Sequence, residues 1–339
     1  MKAVQQIPVL EGCTPGSLPL GTLLSENKPV LLKGLVKEWG LVKAGRSSVA
    51  DAMNYLRSFY NGKVVGSSYG DPQIAGRLFY NDNYTQLNFN TTRGSMEDVL
   101  KNIEAHLNDE QPPTYYIASL TVDACLPGFR QDNDLDFARH GFDPPAVIWI
   151  GNRTTASAHY DAPSNIACCA VGSRRFTIFP PDQIFNLYPG PLEPTPGGQA
   201  ISIVDFKNPD FEKYPRFRDA LANAQVAELQ AGDAIFIPSM WWHHVEGTRP
   251  FNVLVNYWWS TSPKYIPTPM NALYHAMWSL RDRPESEKQA WRNVFEYYVF
   301  GSAQRPREHL PEAAHGVLGP VDEIKARYFR AMLINLLNR

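Results

Sequence analysis

The sequence is poor in cysteine: its 339 residues include four, at Cys13, Cys125, Cys168 and Cys169. Neighbours such as Cys168 and Cys169 rarely form a disulfide with each other, and no Cys-x-x-Cys pair offers the spacing of a zinc site. A disulfide-stapled fold is therefore excluded, and a chain of this length can bury enough surface to fold without one. Because unpaired thiols are typical of a reducing compartment, we expect a cytoplasmic protein.

Long apolar runs and an excess of charge of one sign are also missing. No stretch approaches the length of about 18 apolar residues that a membrane-spanning helix needs. Lys and Arg number 32 against 34 Asp and Glu, a net charge of −2, and no basic block occurs. We therefore expect neither a membrane protein nor a partner of bulk nucleic acid. The signature loops of dinucleotide, phosphate and serine-hydrolase sites are lacking as well.

Proline and aromatic residues are abundant, with 28 Pro, 8 Trp, 16 Tyr and 17 Phe. Prolines divide a chain into short segments and aromatic residues favour strands, so this composition indicates a β-rich fold. Seven short strand-like segments follow one another between residues 146 and 260: AVIWIG, ASAHYD, NIACCAVG, RRFTIFP, AIFIP, HHVEG and NVLVNYWWS. Such a series predicts an antiparallel barrel or sandwich.

The periodicity predicts three regions. Residues 1–143 form a mixed α and β flank that packs on the barrel, and residues 144–262 form the barrel itself. Within the barrel, the proline-rich segment 188–230 is interpreted as an insert between strands. Residues 263–339 are helical.

Apolar stripes mark two helices of this last region, Glu285–Phe300 and Val321–Leu337. The stripes have two interpretations: the helices cover one side of the barrel, or they form the interface of a homodimer. In the flank, the spacing of apolar residues predicts helices over Ser48–Tyr60 and Ser95–Leu107.

One histidine pattern indicates a metal site. His159 and Asp161 lie two residues apart in a predicted strand, where alternate residues face the same side. A second pair, His243 and His244, follows another strand, and only one of these neighbours can point into the barrel. Two histidines and one carboxylate form the facial triad of Fe(II) oxygenases, which leaves three metal positions open.

The collinear motifs AHYDAPSN, GSRRFTIFPPDQ, LYPGP, AGDAIFIPSMWWHHVEG and NVLVNYWW resemble the JmjC/cupin-like 2-oxoglutarate oxygenases. They are most similar to the type represented by the asparaginyl hydroxylase that inhibits hypoxia-inducible factor, and to bacterial cupin-like proteins of that type. The likeness covers residues 146–260. It implies a mainly β fold, a double-stranded β-helix or jelly-roll core, flanked by helices and followed by a C-terminal helical region. It also implies that His159, Asp161 and His243 hold Fe(II), with His244 facing outward.

The resemblance further implies 2-oxoglutarate as co-substrate, and the distal carboxylate of 2-oxoglutarate needs a cationic partner. The family type has a lysine fifteen residues after its first histidine, where this sequence has Arg174 beside Arg175. Arginine stays charged when buried and can bind a carboxylate by a bidentate fork. The resemblance assigns Tyr116, Asn165 and Asn256 to the surroundings of 2-oxoglutarate and Trp258 to the wall of the substrate pocket. Thr177 is a further candidate for binding the co-substrate. Tyr160 and Trp242 are further candidates for the pocket, although strand alternation turns Tyr160 away from His159 and barrel packing is the alternative role of Trp242.

These residues favour an Fe(II)- and 2-oxoglutarate-dependent dioxygenase. The expected reaction is hydroxylation of a C–H bond in a protein, peptide or small molecule, with uptake of O₂ and release of succinate and CO₂. Two alternatives stay open. The Lys-to-Arg difference is compatible with a cupin metalloenzyme that does not use 2-oxoglutarate, and the barrel could bind a peptide or metabolite without catalysis.

Overall fold

Two β-sheets form the core of residues 5–260 in the computed structural model, which describes residues 5–338. The chain divides into one unit that ends at Ser260 and a second unit that begins at Thr261. Within residues 5–338 the strands are β1 (Gln5–Gln6), β2 (Val9–Leu10), β3 (Val30–Leu32), β4 (Val65–Gly70), β5 (Arg77–Leu78), β6 (Asn90–Gly94), β7 (Thr114–Thr121), β8 (Ala146–Gly151), β9 (Thr155–Tyr160), β10 (Ser164–Val171), β11 (Ser173–Phe179), β12 (Gln225–Gln230), β13 (Ala234–Ile237), β14 (Trp242–Gly247) and β15 (Asn252–Trp259).

Each strand of the core belongs to one of the two sheets. One sheet has the order β1-β12-β11-β14-β9-β5, and the other has the order β2-β3-β13-β10-β15-β8-β7-β4-β6. Successive strands from β8 to β11, and again from β12 to β15, cross from one sheet to the other, and most neighbours are antiparallel. This arrangement is a double-stranded β-helix. The mainly β fold class expected from the sequence is therefore confirmed.

Successive side chains of β10 alternate between two hydrophobic clusters, one on each face of the strand. Every residue of Ser164–Val171 is buried, because β10 lies between β13 and β15 and is covered on both faces. Cys169 packs in the cluster between the sheets, whereas its neighbour Cys168 packs in the larger cluster on the opposite face. The two thiols therefore point to opposite sides of one strand and serve as small packing residues.

Helices flank the sheets of the first unit. They are α1 (Leu20–Glu26), α2 (Gly40–Ser47), α3 (Val49–Phe59), α4 (Met96–Ala105), α5 (Val122–Cys125) and α6 (Phe217–Ala222). The two helices expected in the flank are observed as α3 and α4, one or two residues shorter at each end. Their starts follow from capping, since the hydroxyl of Ser48 accepts from the backbone N–H of Asp51 and that of Ser95 from Glu97.

The region boundaries differ from the expected ones in two ways. The flank does not only pack on the barrel: β2 and β3 extend one edge of the nine-stranded sheet, and β7, β4 and β6 extend the other. The insert assigned to 188–230 includes β12, which is a sheet strand between β1 and β11. The insert therefore ends before Gln225, and its remaining part packs on the six-stranded sheet through α6.

The second unit contains three α-helices within residues 261–338: α7 (Pro269–Leu280), α8 (Glu285–Phe295) and α9 (Glu323–Leu337). Large apolar side chains are exposed on it, among them Trp278 at 76%, Phe300 at 73% and Ile324 at 71%. A homodimer interface on these helices stays a prediction. Among the described helices, none combines the length and the apolar character that crossing a bilayer requires.

Candidate metal centre

Two paired strands bring three potential metal ligands together. In the register of the antiparallel pair β9 and β14, His159 lies opposite His243, and Asp161 follows the end of β9. The ring centroids of the two histidines are 4.3 Å apart. One ligand atom from each of His159, Asp161 and His243 lies within 4.8 Å of the others. The spacing of two residues in β9 and the strand pairing together produce the cluster.

Backbone carbonyls orient both imidazoles. The Nδ1–H of His159 donates to the carbonyl oxygen of Ser157 at 2.9 Å, and the Nδ1–H of His243 donates to that of Trp241 at 3.0 Å. Each ring therefore keeps the Nε2 lone pair for a metal, as metal-ligating histidines commonly do. Burial, with the neighbouring His159, lowers the pKa of His243 to about 4, so this imidazole is neutral and can act as a ligand.

Two side chains hold the carboxylate of Asp161. The Nε2 of Gln199 donates to Oδ1 at 3.2 Å, and the indole Nε1 of Trp258 donates to Oδ2 at 3.2 Å. Because Gln199 belongs to the insert, no local pattern in the sequence pointed to it. The insert thus supplies a residue that orients a metal ligand.

The second histidine of the pair faces the other way. His244 is 4% exposed and stacks on Phe206 with ring centroids 4.3 Å apart, outside the barrel interior. Burial, followed by the charge of Arg77, lowers the pKa of His244 to about 3. Strand alternation and the cover provided by Phe206 therefore keep His244 out of the metal cluster, as the resemblance implied.

The cluster opens into a cavity of about 460 Å³. Arg174, Tyr116, Asn165, Asn256 and Trp258, all assigned from the sequence, line this cavity together with the three potential ligands. Asn256 donates to the side-chain oxygen of Asn165 at 3.0 Å. The structure thus gathers these five predicted residues, which come from four different strands, around one space.

Arg174 is 2% exposed, yet its Nε and Nη2 atoms have no hydrogen-bond partner within residues 5–338. The guanidinium lies beside the phenol of Tyr116, and burial raises the pKa of that phenol, so Tyr116 stays protonated and can donate. A buried charge without a partner is costly, and a bound carboxylate would satisfy it. These orphaned donors fit the distal carboxylate of 2-oxoglutarate, and the His, Asp, His set fits Fe(II).

Four of the candidate residues that the sequence offers lie elsewhere, and strand alternation explains each. Thr177 pairs with His244 on the outer side of β11, so it does not line the cavity. Tyr160 and Trp242 pack against each other, with ring centroids 5.0 Å apart, in the cluster beneath the insert. Arg175 pairs with Glu228 at 3.5 Å and its side chain is 47% exposed, so it cannot replace Arg174.

A double-stranded β-helix with a His, Asp, His cluster beside a buried arginine defines a cupin-type barrel with a candidate metal site. The sequence pattern of the cupin-like domain matches residues 19–265, and the chain belongs to this family. Members of this JmjC-type family are in general oxygenases that use Fe(II) and 2-oxoglutarate.

Several curated relatives share part of the chain. The chain is 31% identical over 172 residues to lysine-specific demethylase JMJ31 of Arabidopsis thaliana, covering 50% of this chain and 29% of that one. It is 32% identical over 115 residues to HSPB1-associated protein 1 of Homo sapiens, covering 33% and 23%. It is 36% identical over 269 residues to tRNA wybutosine-synthesizing protein 5 of Gallus gallus, covering 76% and 78%. The chain thus spans less than a third of the length of the first two relatives.

Proposed function

We propose that the protein is an Fe(II)- and 2-oxoglutarate-dependent dioxygenase that hydroxylates a C–H bond and releases succinate and CO₂. One observation carries this proposal: the buried guanidinium of Arg174, with unpartnered donors, lines the same cavity as His159, Asp161 and His243. A metal-binding barrel that used no acidic co-substrate would have no need for this costly buried charge.

Each residue has a role in this chemistry. When bound, iron and 2-oxoglutarate supply the activation of O₂ and the oxidising power for hydroxylation. His159, Asp161 and His243 would hold the metal through two imidazole nitrogens and one carboxylate. Arg174 and Tyr116 bind the distal carboxylate of the co-substrate, and Asn165 with Asn256 provides further polar contacts close to the metal. Gln199 and Trp258 keep the Asp161 carboxylate in place.

The alternative of a cupin metalloenzyme without 2-oxoglutarate would be favoured by an Arg174 that binds a structural carboxylate. Within the described residues no carboxylate pairs with Arg174, whereas its neighbour Arg175 does have such a partner in Glu228. A barrel that binds without catalysis would not need two histidines oriented with free Nε2 atoms. Both observations support the oxygenase over these alternatives.

The test is succinate formation. The purified chain, loaded anaerobically with Fe(II) and mixed with 2-oxoglutarate and O₂, is expected to release succinate slowly even without its main substrate. His243→Ala is the matched inactive control, and His244→Ala is the control for changes in β14. If Fe(II) binds but 2-oxoglutarate neither binds nor turns over, the proposal is wrong and the alternative without 2-oxoglutarate replaces it.

Location, assembly and substrate belong to the proposal as well. We propose a cytoplasmic protein that forms a homodimer through the exposed apolar side chains of α8 and α9, with a protein, peptide or small-molecule substrate. Sedimentation of the intact chain tests the dimer. Ile324→Asp should dissociate it, and Ile324→Asn is the uncharged control. A monomer at micromolar concentration would contradict this part alone.

A further inference from the structure

We propose that the part of the substrate entering the cavity is uncharged and largely hydrocarbon, and that the site rejects ammonium groups and carboxylates. This inference rests on the proposed function, since it concerns the cavity with metal and 2-oxoglutarate bound. The charge of the substrate group that enters the cavity is defined neither by the metal cluster nor by the family.

The lining of the cavity carries little charge. Apart from the metal cluster and Arg174, the described residues that line it are all uncharged. Apolar side chains dominate the wall, among them Leu78, Phe89, Pro163, Pro196 and Ile201. The polar groups on the remaining wall are hydroxyls and amides, such as Ser68 and Gln199. A charged group entering this space would lose its hydration without gaining a partner of opposite charge.

The charges of the loaded site also cancel. A divalent metal and the cation of Arg174 are balanced by the Asp161 carboxylate and the two carboxylates of 2-oxoglutarate. No charge of either sign is therefore left over to attract a charged substrate group, and the cost of dehydrating such a group stays uncompensated.

Aromatic rings can bind a cation by their faces, but the rings of Tyr116, Trp149 and Trp258 already pack against one another. Trp149 stacks on Tyr116 at 5.9 Å between centroids and meets Trp258 edge-on at 5.8 Å. Tyr116 also lies beside the guanidinium of Arg174. An aromatic cage for a methylated ammonium is therefore not formed by these rings.

The relatives make this inference specific. One of them is named a lysine-specific demethylase, and a methylated lysine side chain carries an ammonium group. We expect this chain to reject that group, whatever its other contacts with a substrate.

The experiment uses Mn(II), which binds oxygen and nitrogen ligands without redox turnover and speeds the relaxation of nearby protons. The full chain is loaded with Mn(II) and 2-oxoglutarate, and three probes of one shape are compared by NMR. They are choline, its neutral carbon isostere with a tert-butyl group, and the anion tert-butylacetate. The relaxation enhancement of the neutral probe should exceed that of either ion by at least about tenfold.

Every outcome of this comparison is informative. Equal or greater enhancement for choline or for the anion overturns the inference, and so does a lack of enhancement for all three probes. The protons of 2-oxoglutarate in the same sample report separately on the proposed function. If they show no enhancement while the water protons do, the co-substrate fails to bind and the failure belongs to the proposed function.

A negative charge introduced into the cavity wall should shift the preference of the site from the neutral probe to choline. Phe89 is half-buried and lines the cavity, so a replacement there is expected to leave the core intact. Phe89→Glu should raise the enhancement of choline by about tenfold, whereas Phe89→Gln, its uncharged counterpart, should not. If both variants favour choline, the loss of the ring and not the charge governs selectivity, and the inference is wrong.

Discussion

His159 and His243 are held in the same way on opposite strands: each donates its Nδ1–H to the carbonyl oxygen of the residue two positions earlier. The acceptors are Ser157 at 2.9 Å and Trp241 at 3.0 Å. Because the two residues are also register partners, both Nε2 atoms are directed to one region between β9 and β14. Strand geometry thus orients two potential metal ligands toward one point, whereas His244, the next residue of β14, faces the opposite side.

His243→Ala should abolish high-affinity binding of Fe(II), while His244→Ala should change the Kd for Fe(II) by less than threefold. Loss of an outer-shell group already weakens metal binding by about 10- to 100-fold, so loss of a ligand should weaken it by at least about 100-fold. Anaerobic calorimetry with Fe(II) measures both variants. Equal effects of the two substitutions would show that the cluster is assigned to the wrong neighbour.

Trp258→Phe should weaken Fe(II) binding by about tenfold or more, because it removes the indole N–H that orients Asp161. Trp259→Phe is the matched control, since the Nε1 of Trp259 has no partner among the described residues and its ring packs on the opposite face. The Kd for Fe(II) is measured for both. A larger effect at Trp259 would mean that packing, not the hydrogen bond, holds the metal site together.

Arg174→Gln should raise the Kd for 2-oxoglutarate at least about thirtyfold, since removing one partner of a buried charge pair costs about 2–5 kcal/mol. Arg174→Lys keeps the charge found in the resembling family and should stay within about tenfold of the original Kd. Titration of the Mn(II)-loaded chain with 2-oxoglutarate provides both constants. Normal binding by the Gln variant would remove Arg174 from the co-substrate site.

Replacing Arg174 should stabilise the free protein and at the same time impair the binding of 2-oxoglutarate. In the free protein Arg174 is buried with unpartnered donors, so Arg174→Met should raise the free energy of unfolding by about 1–3 kcal/mol. Added 2-oxoglutarate with Mn(II) should stabilise the original chain but not this variant. Urea unfolding monitored with and without the ligands decides the question, and a less stable Met variant would contradict the argument.

Cys168 and Cys169 should resist alkylation in the folded protein at pH 8. Burial raises the pKa of Cys168 well above its ordinary value and raises that of Cys169 to about 12, so both remain thiols, and the thiolate is the reactive form. Iodoacetamide labelling followed by peptide mass analysis should find modification at the partly exposed Cys13 first. Rapid labelling of Cys169 under native conditions would indicate that β10 opens locally.

Much of the fold could be predicted because strand and helix periodicity are local. The segments around Ser48 and Ser95 carry capping residues next to apolar spacing, and they form α3 and α4. The strand β12 was placed within the insert, because its pairing with β1 and β11 depends on residues far away in the chain. A short strand whose partners are distant carries little signal of its own.

Some residues of the candidate site could likewise be predicted from the local sequence, and others could not. The positions of His159, Asp161, His243 and Arg174 could be inferred, since alternation and family motifs depend on neighbouring residues. The sequence makes Tyr160 and Trp242 candidates for the pocket and Thr177 a candidate for the co-substrate site, yet the pleat turns all three to the outer face. Gln199 could not be found at all, because a hydrogen bond from a long insert to Asp161 exists only once the insert has folded back.

The sequence by itself determined the strand-rich core, the lack of disulfides and the chemical types available to a metal site, because these depend on composition and on spacings of two to four residues. Only the tertiary structure decided that Gln199 holds Asp161, that Arg174 is buried with no carboxylate partner among residues 5–338, and that the rest of the described cavity wall is uncharged. Those properties arise from the meeting of strands and loops that are distant in the chain. Burial and strand pairing, which set them, are properties of the folded chain as a whole.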